Sequence, residues 1–472
     1  MLLPKTTAAV EVHLPPIVSE IVVGFLLSTT RDWDCIAAAG EFETCMDAPQ
    51  DAARLVLRGA CNECHYELVM YTLHNWSVTV NTSLFAACWG GDANIVDLLI
   101  EHGADDWEQG LQGACAGGHP AVAVSMINRG ACNWDRALDA ACAAGQLECA
   151  QFMIDKGASD FDYALSSACS SGNSDVVRLV IEKGAKMWVL GLNGACSGGH
   201  LDLALSMIAK GAGDFNTALC FAARSVRKTT TQLLTEKDVL IRLFIGKGAN
   251  NWNGALHYAS YGGHIGLIYT FIALGANDFD RAFNAACQSG RLAPLRILLE
   301  HGASLDKALN FACCGGHFPV IEFVIERGAN DWDAGLRRAC GSGHMAVALF
   351  MISKGARDVN GALRAAAQGG HANIVQLLTE KKANDWGELL NGACLSGNVG
   401  LINLAIANGA SNWNEGLRAA SIGNRPRAAQ LMLDRGATNL VAALAIAVEG
   451  GDAPIIRFLE EEMKREEASS QP

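Results

Sequence analysis

Apolar and polar positions follow one another along the chain with the spacing of short helices. In residues 135–158, the apolar residues Leu138, Ala141 and Cys142 stand at positions i, i+3 and i+4, and the spacing resumes at Ala150 after a gap. This spacing places apolar side chains on one face of a helix. Neither run is long enough to form a stable isolated helix. The pattern therefore predicts two short helices whose apolar faces pack against neighbouring segments.

The same pattern recurs with a fixed period. A Gly-Ala pair closes each unit, at intervals that are nearly always 27 residues. The interval from Gly211 to Gly248 is 37 residues, which indicates an insertion, and Lys382-Ala383 replaces the pair in one unit. The glycines of the pairs are Gly103, Gly130, Gly157, Gly184, Gly211, Gly248, Gly275, Gly302, Gly328, Gly355, Gly409 and Gly436. Such a period is the signature of a repeat protein.

Turn residues set the helix boundaries in each unit. Five prolines follow a glycine-containing turn inside the unit, where the first turn of a helix tolerates proline. They are Pro120, Pro294, Pro319, Pro426 and Pro454. The closing glycine suits the left-handed residue that ends a helix. We therefore expect an all-α protein, an α-solenoid of about 14 stacked helix-turn-helix units over residues 80–463.

The remaining residues flank this array. Residues 1–79 are expected to form an N-terminal helical region with a degenerate first repeat that ends at Gly59. Residues 464–472 are expected to form a charged C-terminal tail. The insertion, at residues 224–237, is expected to be an exposed loop between the two helices of one unit. Its arginines and threonines leave open a basic contact or a phosphorylation site.

The helix pair resembles a known repeat. Residues 84–104 resemble the ankyrin helix pair, as do residues 312–329 and 366–378. The sequence of residues 84–104 is Leu-Phe-Ala-Ala-Cys-Trp-Gly-Gly-Asp-Ala-Asn-Ile-Val-Asp-Leu-Leu-Ile-Glu-His-Gly-Ala. An ankyrin unit has about 33 residues, so about six are missing between the Gly-Ala pair and the next leucine. The resemblance implies an ankyrin-like scaffold for protein–protein interaction with shortened hairpin fingers.

Aromatic residues mark the shortened junctions between units. They stand four positions after the closing glycine, at Trp107, Trp134, Phe161, Trp188, Phe215, Trp252, Phe279, Trp332, Trp386 and Trp413. We expect each ring to pack over the adjacent junction, because a large ring is a strong local anchor. A stripe of rings that stacks against a ligand is the alternative.

Cysteine and histidine recur at two further repeat positions. Nine of the 17 cysteines stand four residues after the repeat leucine, and stacked helices are too far apart for these to form disulfides. They are Cys88, Cys115, Cys142, Cys169, Cys196, Cys287, Cys313, Cys340 and Cys394. Six histidines follow the glycine of the internal turn: His119, His200, His264, His317, His344 and His371. We expect buried thiols and turn-stabilising imidazoles.

One segment outside the array carries a metal-binding motif. Cys61, Cys64 and His65 match the C-x-x-C-H pattern of haem attachment, and with His74 they offer zinc ligands. A metal- or haem-bearing redox protein is therefore one alternative. No other motif indicates catalysis, since the sequence contains neither H-E-x-x-H nor G-x-S-x-G. We expect a non-catalytic protein with no cofactor.

The N-terminal segment is amphipathic. Starting at Leu14 and Pro15, it resembles the first helix of an F-box. The residues that carry this resemblance are Leu14, Pro15, Val18, Val22, Phe25 and Leu26. It implies docking on the linker subunit of a cullin-type ubiquitin ligase; capping of the solenoid is the alternative. An F-box-like start before an ankyrin array resembles proteins of large DNA viruses.

Composition restricts the partner and the compartment. The net charge of −13 disfavours binding to nucleic acid. The apolar stretch 17–27 is too short to span a membrane, carries Glu20, and lacks the features of a secretory signal. We therefore expect a reducing compartment, the cytoplasm, or the host cytoplasm for a viral protein.

The residue after each repeat leucine is expected to project from the concave face of the solenoid. This position carries amides or histidine in the middle of the array and arginine later, so we expect a positive strip that attracts an acidic segment of a partner protein. The candidate partner-binding residues are His257, Asn284, Asn310, Arg337, Arg338, which lies beside the strip, Arg364 and Arg418.

Overall fold

The structure is a computed structural model that describes residues 37, 40, 45, 53–76, 80–224, 231–450 and 453–469. In these residues all regular secondary structure is helical. The helices are α1 (Ala53–Asn62), α2 (Tyr66–Asn75), α3 (Asn81–Gly90), α4 (Ala93–Glu101), α5 (Trp107–Gly117), α6 (Pro120–Asn128), α7 (Trp134–Ala144), α8 (Leu147–Lys156), α9 (Phe161–Ser171), α10 (Ser174–Glu182), α11 (Trp188–Gly198), α12 (Leu201–Ala209), α13 (Phe215–Arg224), α14 (Thr231–Gly246), α15 (Trp252–Gly262), α16 (Ile265–Ala273), α17 (Phe279–Gln288), α18 (Leu292–Glu300), α19 (Ala308–Gly315), α20 (Phe318–Ile325), α21 (Trp332–Gly341), α22 (Met345–Ser353), α23 (Val359–Gln368), α24 (Ala372–Glu380), α25 (Trp386–Ser396), α26 (Val399–Ala407), α27 (Trp413–Ile422), α28 (Pro426–Asp434), α29 (Leu440–Gly450) and α30 (Ala453–Ser469).

Helices alternate between two layers. Each odd-numbered helix, called here a first helix, packs against the even-numbered second helix that follows it, as α7 does against α8. First helices also pack against the first helices of adjacent pairs, as α3 does against α5 and α21 does against α23. The all-helical, α-solenoid class predicted from the sequence is therefore confirmed for the described residues.

The chain divides into two compact units. The first unit ends at Gly262 and also takes in Thr270–Gly275. The second unit comprises Gly263–Tyr269 and the residues from Ala276 onward. Each unit is a stack of helix pairs with its own two layers.

The predicted helix ends agree with the structure. The closing glycines have left-handed backbones, with φ of +92° at Gly103 and +109° at Gly157. Lys382, which replaces this glycine in one unit, has a φ of +71°, a conformation that costs a residue with a side chain more than it costs glycine. Pro120 and Pro426 are the first residues of the second helices α6 and α28.

Core residues on the two helices of a pair are matched in size. A β-carbon added to Gly110 would lie 2.5 Å from Sδ of Met126, and one added to Gly335 would lie 2.8 Å from Sδ of Met351. Sγ of Cys313, from the preceding pair, lies 3.6 Å from Sδ of Met351. The flexible methionine side chain therefore fills the space that glycine leaves open.

Three expected boundaries differ from those in the structure. Gly59 lies inside α1 and does not close a repeat, because α1 and α2 form a further helix pair before the array. The insertion is not a loop throughout, since α14 begins at Thr231. Residues 231–237 contain leucine, glutamine, glutamate and lysine and no glycine or proline, so they extend the second helix toward its N-terminus. Helix α30 continues to Ser469, so the expected tail boundary at residue 464 falls within it.

Candidate interaction surfaces

The candidate strip lies on the first helices. Asn193 and Cys220 are buried at this position, whereas Gln112, Asn310 and the three arginines are half-buried or exposed. In the second unit the strip passes from Asn284 and Asn310 to arginine residues on α21, α23 and α27. The first-helix layer of this unit therefore presents the polar positions that the sequence indicated.

Two of the strip arginines have carboxylate partners in the following repeat. The Arg337 guanidinium donates a hydrogen bond to Asp358, the residue before α23. Arg364 lies 3.8 Å from the carboxylate of Glu388 on α25. Arg418 is exposed and has no ion pair with any described residue. The positive strip is thus partly neutralised, which the sequence did not indicate.

An open cleft of about 530 Å³ lies among α19, α21 and α23. Its lining residues are Asn310, Ala334, Arg337, Arg338, Gly341, Ser342, Ala365, Gln368 and Gly369. Three of the residues predicted from the sequence, Asn310, Arg337 and Arg338, therefore line one cleft. Arg338 is exposed and forms no ion pair within the described part of the chain, so its charge is available to a ligand.

Two asparagines of the strip have unused acceptors. Oδ1 of Asn284 and Oδ1 of Asn310 are buried and receive no hydrogen bond in the structure. A buried acceptor without a donor is costly to the folded chain. Asn310 lines the cleft beside Arg338. The group that the cleft offers to a ligand is therefore the guanidinium of Arg338, which can bind an anionic group.

His257 belongs to an aromatic cluster in the first unit. Its ring meets the edge of Tyr258 at 5.0 Å, and Tyr258 stacks on Phe221 at 6.3 Å. Arg224 lies 5.4 Å from the ring centre of Tyr261. Only His257 of this cluster was predicted from the sequence; the signal for the others is the pair of aromatic residues two positions after successive repeat leucines.

The repeat aromatic residues pack against the second helix of their own pair. Phe215 stacks on Phe244 at 6.1 Å, and Trp252 stacks on Phe271 at 6.5 Å. Lys210, at the end of α12, lies 5.1 Å from the ring centre of Trp188. All ten rings are half-buried. These contacts support the interpretation of the rings as packing anchors.

The residue at the internal turn reaches back to the preceding pair. Nε2 of His344 donates to the carbonyl of Cys314 at 3.0 Å, and Nε2 of His371 donates to that of Gly341 at 3.2 Å. Asn398 also reaches back, but its amide nitrogen donates to the carbonyl of Gly370, two residues beyond the equivalent position. Burial, His344 and Arg291 lower the pKa of His317. The structural role predicted for these histidines is confirmed where the bond forms.

Thiols at the repeat cysteine position are buried in the core. All nine cysteines at this position are buried, and burial raises the pKa of Cys88 and of Cys142 to about 12. No disulfide joins any of the described cysteines. Such thiols remain protonated and unreactive at neutral pH.

The C-x-x-C-H segment does not form a ligand cluster. Cys61 is buried in the core side of α1, whereas Cys64 has a left-handed backbone and His65 precedes α2. Among the described residues no three His, Cys, Asp or Glu side chains converge as metal ligands. The described structure therefore gives no support to the metal- or haem-binding alternative at these residues.

Side chains at the start of each first helix join consecutive repeats. Asp162, the second residue of α9, accepts hydrogen bonds from the backbone N–H groups of Lys186 (2.7 Å) and Met187 (2.8 Å) in the next junction. Equivalent acceptors are Glu108, Asp135, Asn216, Asp280, Asp333, Asn360 and Asn414. This ladder was not predicted from the sequence, although an acidic or amide residue follows most repeat aromatic residues.

The F-box-like residues Leu14 to Leu26 lie outside the described part of the chain. No helix in the described part is long and apolar enough to cross a bilayer.

Comparisons with known proteins add little to this description. No protein-family model and no curated protein matches the chain. Among solved structures, the chain is similar to the human ASB11 ankyrin repeat domain, with 18% identity and a TM-score of 0.21 over 46% of this chain and 97% of that one. The helix pairs themselves define the fold class of this protein.

Proposed function

We propose that this protein is a non-catalytic, ankyrin-like scaffold that binds a partner protein on the first-helix layer of its second unit. The observation that carries the proposal is the cleft on α19, α21 and α23, because it gathers Asn310, Arg337 and Arg338 in one place. Stacked repeats provide long surfaces of this kind. The first helices supply both the floor and the polar groups of the cleft.

The charges in the cleft favour an acidic segment of the partner. Arg338 has no carboxylate partner among the described residues, whereas Asp358 neutralises Arg337. Although the whole chain has a net charge of −13, an arginine without a carboxylate partner attracts a carboxylate in its immediate surroundings. Arg364 and Arg418 extend the positive strip along the same layer, so binding is expected to weaken with salt.

The experiment is affinity capture from cell extract with the full chain and with variants. Arg338→Glu, and separately the triple change of Arg337, Arg364 and Arg418 to glutamate, should reduce the captured partner at least about tenfold at low salt. Arg296→Glu is the matched control, because Arg296 is exposed on the second helix α18. Capture that is the same for wild type and Arg338→Glu contradicts the cleft as the binding site.

The second candidate function is a substrate adaptor of a cullin-type ubiquitin ligase. It rests on the F-box-like sequence that starts at Leu14 and Pro15, followed by the repeat array. A binding assay with the purified linker subunit tests it. Replacement of Leu14, Pro15, Val22 and Phe25 should abolish that interaction and leave capture through the cleft unchanged.

We place the protein in a reducing compartment such as the cytoplasm. The nine repeat cysteines are buried as thiols in the described core, and no disulfide is formed there. Cytoplasmic proteins keep their thiols in this state. Fractionation of cells that express the tagged full chain tests this placement.

A further inference from the structure

One junction in the first unit departs from the polar pattern of the others. Ten first helices begin at the repeat aromatic residue, and nine of them follow an aspartate or asparagine. The tenth is α11, which follows Met187. The backbone there has the shape of a capped junction, with φ −81° and ψ 73°, close to the −85° and 69° of Asp160. Only the side-chain cap is missing.

The second residue of α11 departs from the pattern as well. This position holds the acceptor of the inter-repeat ladder, such as Asp135 or Asp162, but α11 has Val189. Valine has no acceptor, and no described side chain accepts from the N–H groups of Gly213 and Asp214 in the next junction. Two stabilising polar residues are thus replaced by apolar ones at the same helix start. Local departures of this kind mark functional positions when nothing in the fold compensates for them.

The replacements create an exposed apolar patch. Met187 is 53% exposed, and Tyr163 is 65% exposed. The two lie close together, because Asp162, next to Tyr163, accepts from the backbone N–H of Met187. Trp188 is half-buried beside them. Exposed methionine and aromatic side chains near one another are typical of binding surfaces.

Lysines surround this patch. Lys183, Lys186 and Lys210 are exposed, and none forms an ion pair with a described carboxylate. Lys210 lies over the ring of Trp188. The nearby carboxylates of Asp162 and Asp214 accept hydrogen bonds from backbone N–H groups and form no ion pair with these lysines. The rim of the patch therefore carries three ammonium groups without a carboxylate partner among the described residues.

We propose that Tyr163, Met187, Trp188 and Val189 form a second docking surface, which binds a partner segment with an acidic side chain next to a large apolar one. The apolar side chain packs on Tyr163 and Met187. The carboxylate meets Lys186 and Lys210 and takes the place of the acceptor that Val189 lacks. This surface is independent of the cleft in the second unit.

In the test, peptides that bind the full chain are selected from a displayed library of random dodecapeptides. Counter-selection uses the double variant Met187→Asn, Val189→Asn, which restores residue types found at other junctions without adding charge. Surviving peptides should combine an acidic with a bulky apolar residue. Their affinity for the double variant should fall at least about tenfold, while its midpoint of thermal unfolding stays the same or rises because cap and ladder are restored. Lys186→Glu with Lys210→Glu should give a similar loss.

Two control variants separate this surface from other sites. Gly387→Asn restores the ladder acceptor at a junction in the second unit and should leave peptide affinity unchanged. Arg338→Glu alters the cleft and should also leave it unchanged. The proposal is overturned if no acidic and apolar peptide survives counter-selection, or if the selected peptides bind the double variant as tightly as wild type. Peptides that lose binding only with Arg338→Glu would support the cleft and overturn this surface.

Discussion

Oδ1 of Asp333 accepts a hydrogen bond of 2.9 Å from the backbone N–H of Asp358, one repeat further along the chain. It also accepts one of 2.6 Å from the N–H of Arg357. A carboxylate that accepts two N–H groups favours its charged form. These bonds, helped by the charge of Arg337, lower the pKa of Asp333 below its ordinary value. The stabilisation that these hydrogen bonds between repeats provide therefore depends on pH.

The first prediction concerns this linkage. Because the pKa of Asp333 is lower in the folded than in the unfolded chain, its stabilisation is complete above the unfolded pKa and is lost as pH falls through the folded pKa. Asp333→Asn should therefore lower the free energy of unfolding at pH 7 by less than about 1 kcal/mol, since the group is half-buried and partly screened by solvent. The difference should vanish at low pH in urea titrations. Asn360→Asp, at the same position of the next repeat, should create a new pH dependence; an unchanged profile in both variants contradicts the linkage.

The second prediction concerns core burial. Leu138 on α7 is fully buried between adjacent helices. Leu138→Ala should destabilise its surroundings by about 2–5 kcal/mol, because the cavity is not refilled. Hydrogen exchange should show faster opening in α7 and in the adjacent pairs, which share the interface. Equal acceleration along all units would contradict this local spread.

The third prediction concerns size matching. Gly335→Ala should destabilise the protein by about 1–3 kcal/mol, because the new methyl group approaches Sδ of Met351 and Sγ of Cys313. Adding Met351→Leu should recover much of this loss, as alanine and leucine occupy the corresponding positions 362 and 378 of the next pair. A double-mutant cycle measures the coupling. Additive effects of the two changes would show that the residues do not compensate.

The fourth prediction concerns the turn residue His344. His344→Ala should cost about 0.5–1.5 kcal/mol, because the carbonyl of Cys314 loses its donor. His344→Asn should keep part of the stability, since Asn398 at the same position of another pair donates to a neighbouring carbonyl of the preceding turn, that of Gly370. The midpoints of thermal unfolding of the two variants and of the wild type measure these losses. Equal losses would show that packing of the ring, and not the hydrogen bond, stabilises the turn.

Features with a short range in sequence were predictable. The 27-residue period, the helix pairs and the left-handed glycines follow from apolar spacing and turn residues within one unit, as at Gly103 and Pro120. Contacts across units were not. Arg337 meets Asp358, 21 residues away, and nothing in the local pattern of either residue indicates the pair. The spacing of the arginines could be read from the sequence, whereas the ion pairs of Arg337 and Arg364 could not.

Composition alone also could not place the start of α14. The insertion has the polar character of a loop, but helix formation at Thr231 depends on continuity with the buried part of α14, which includes Leu240 and Phe244. At the Met187 junction the sequence differs visibly from the other junctions, but the meaning of the difference depends on the structure. Its departure from the pattern can be read in the sequence once the polar role of the equivalent residues is known, and that role became clear only from the hydrogen bonds of the structure.

The backward reach of the turn residues gives the array an order of completion during synthesis. His371 supplies the donor for the carbonyl of Gly341, and it stands 30 residues later in the chain. A ribosome delivers Gly341 first, so this carbonyl at the end of α21 lacks its donor until about one more repeat has emerged. The same order holds at His200 and His344, whose acceptors also stand 30 residues earlier. A chain that stops just before such a turn residue therefore exposes a first helix with an incompletely bonded end.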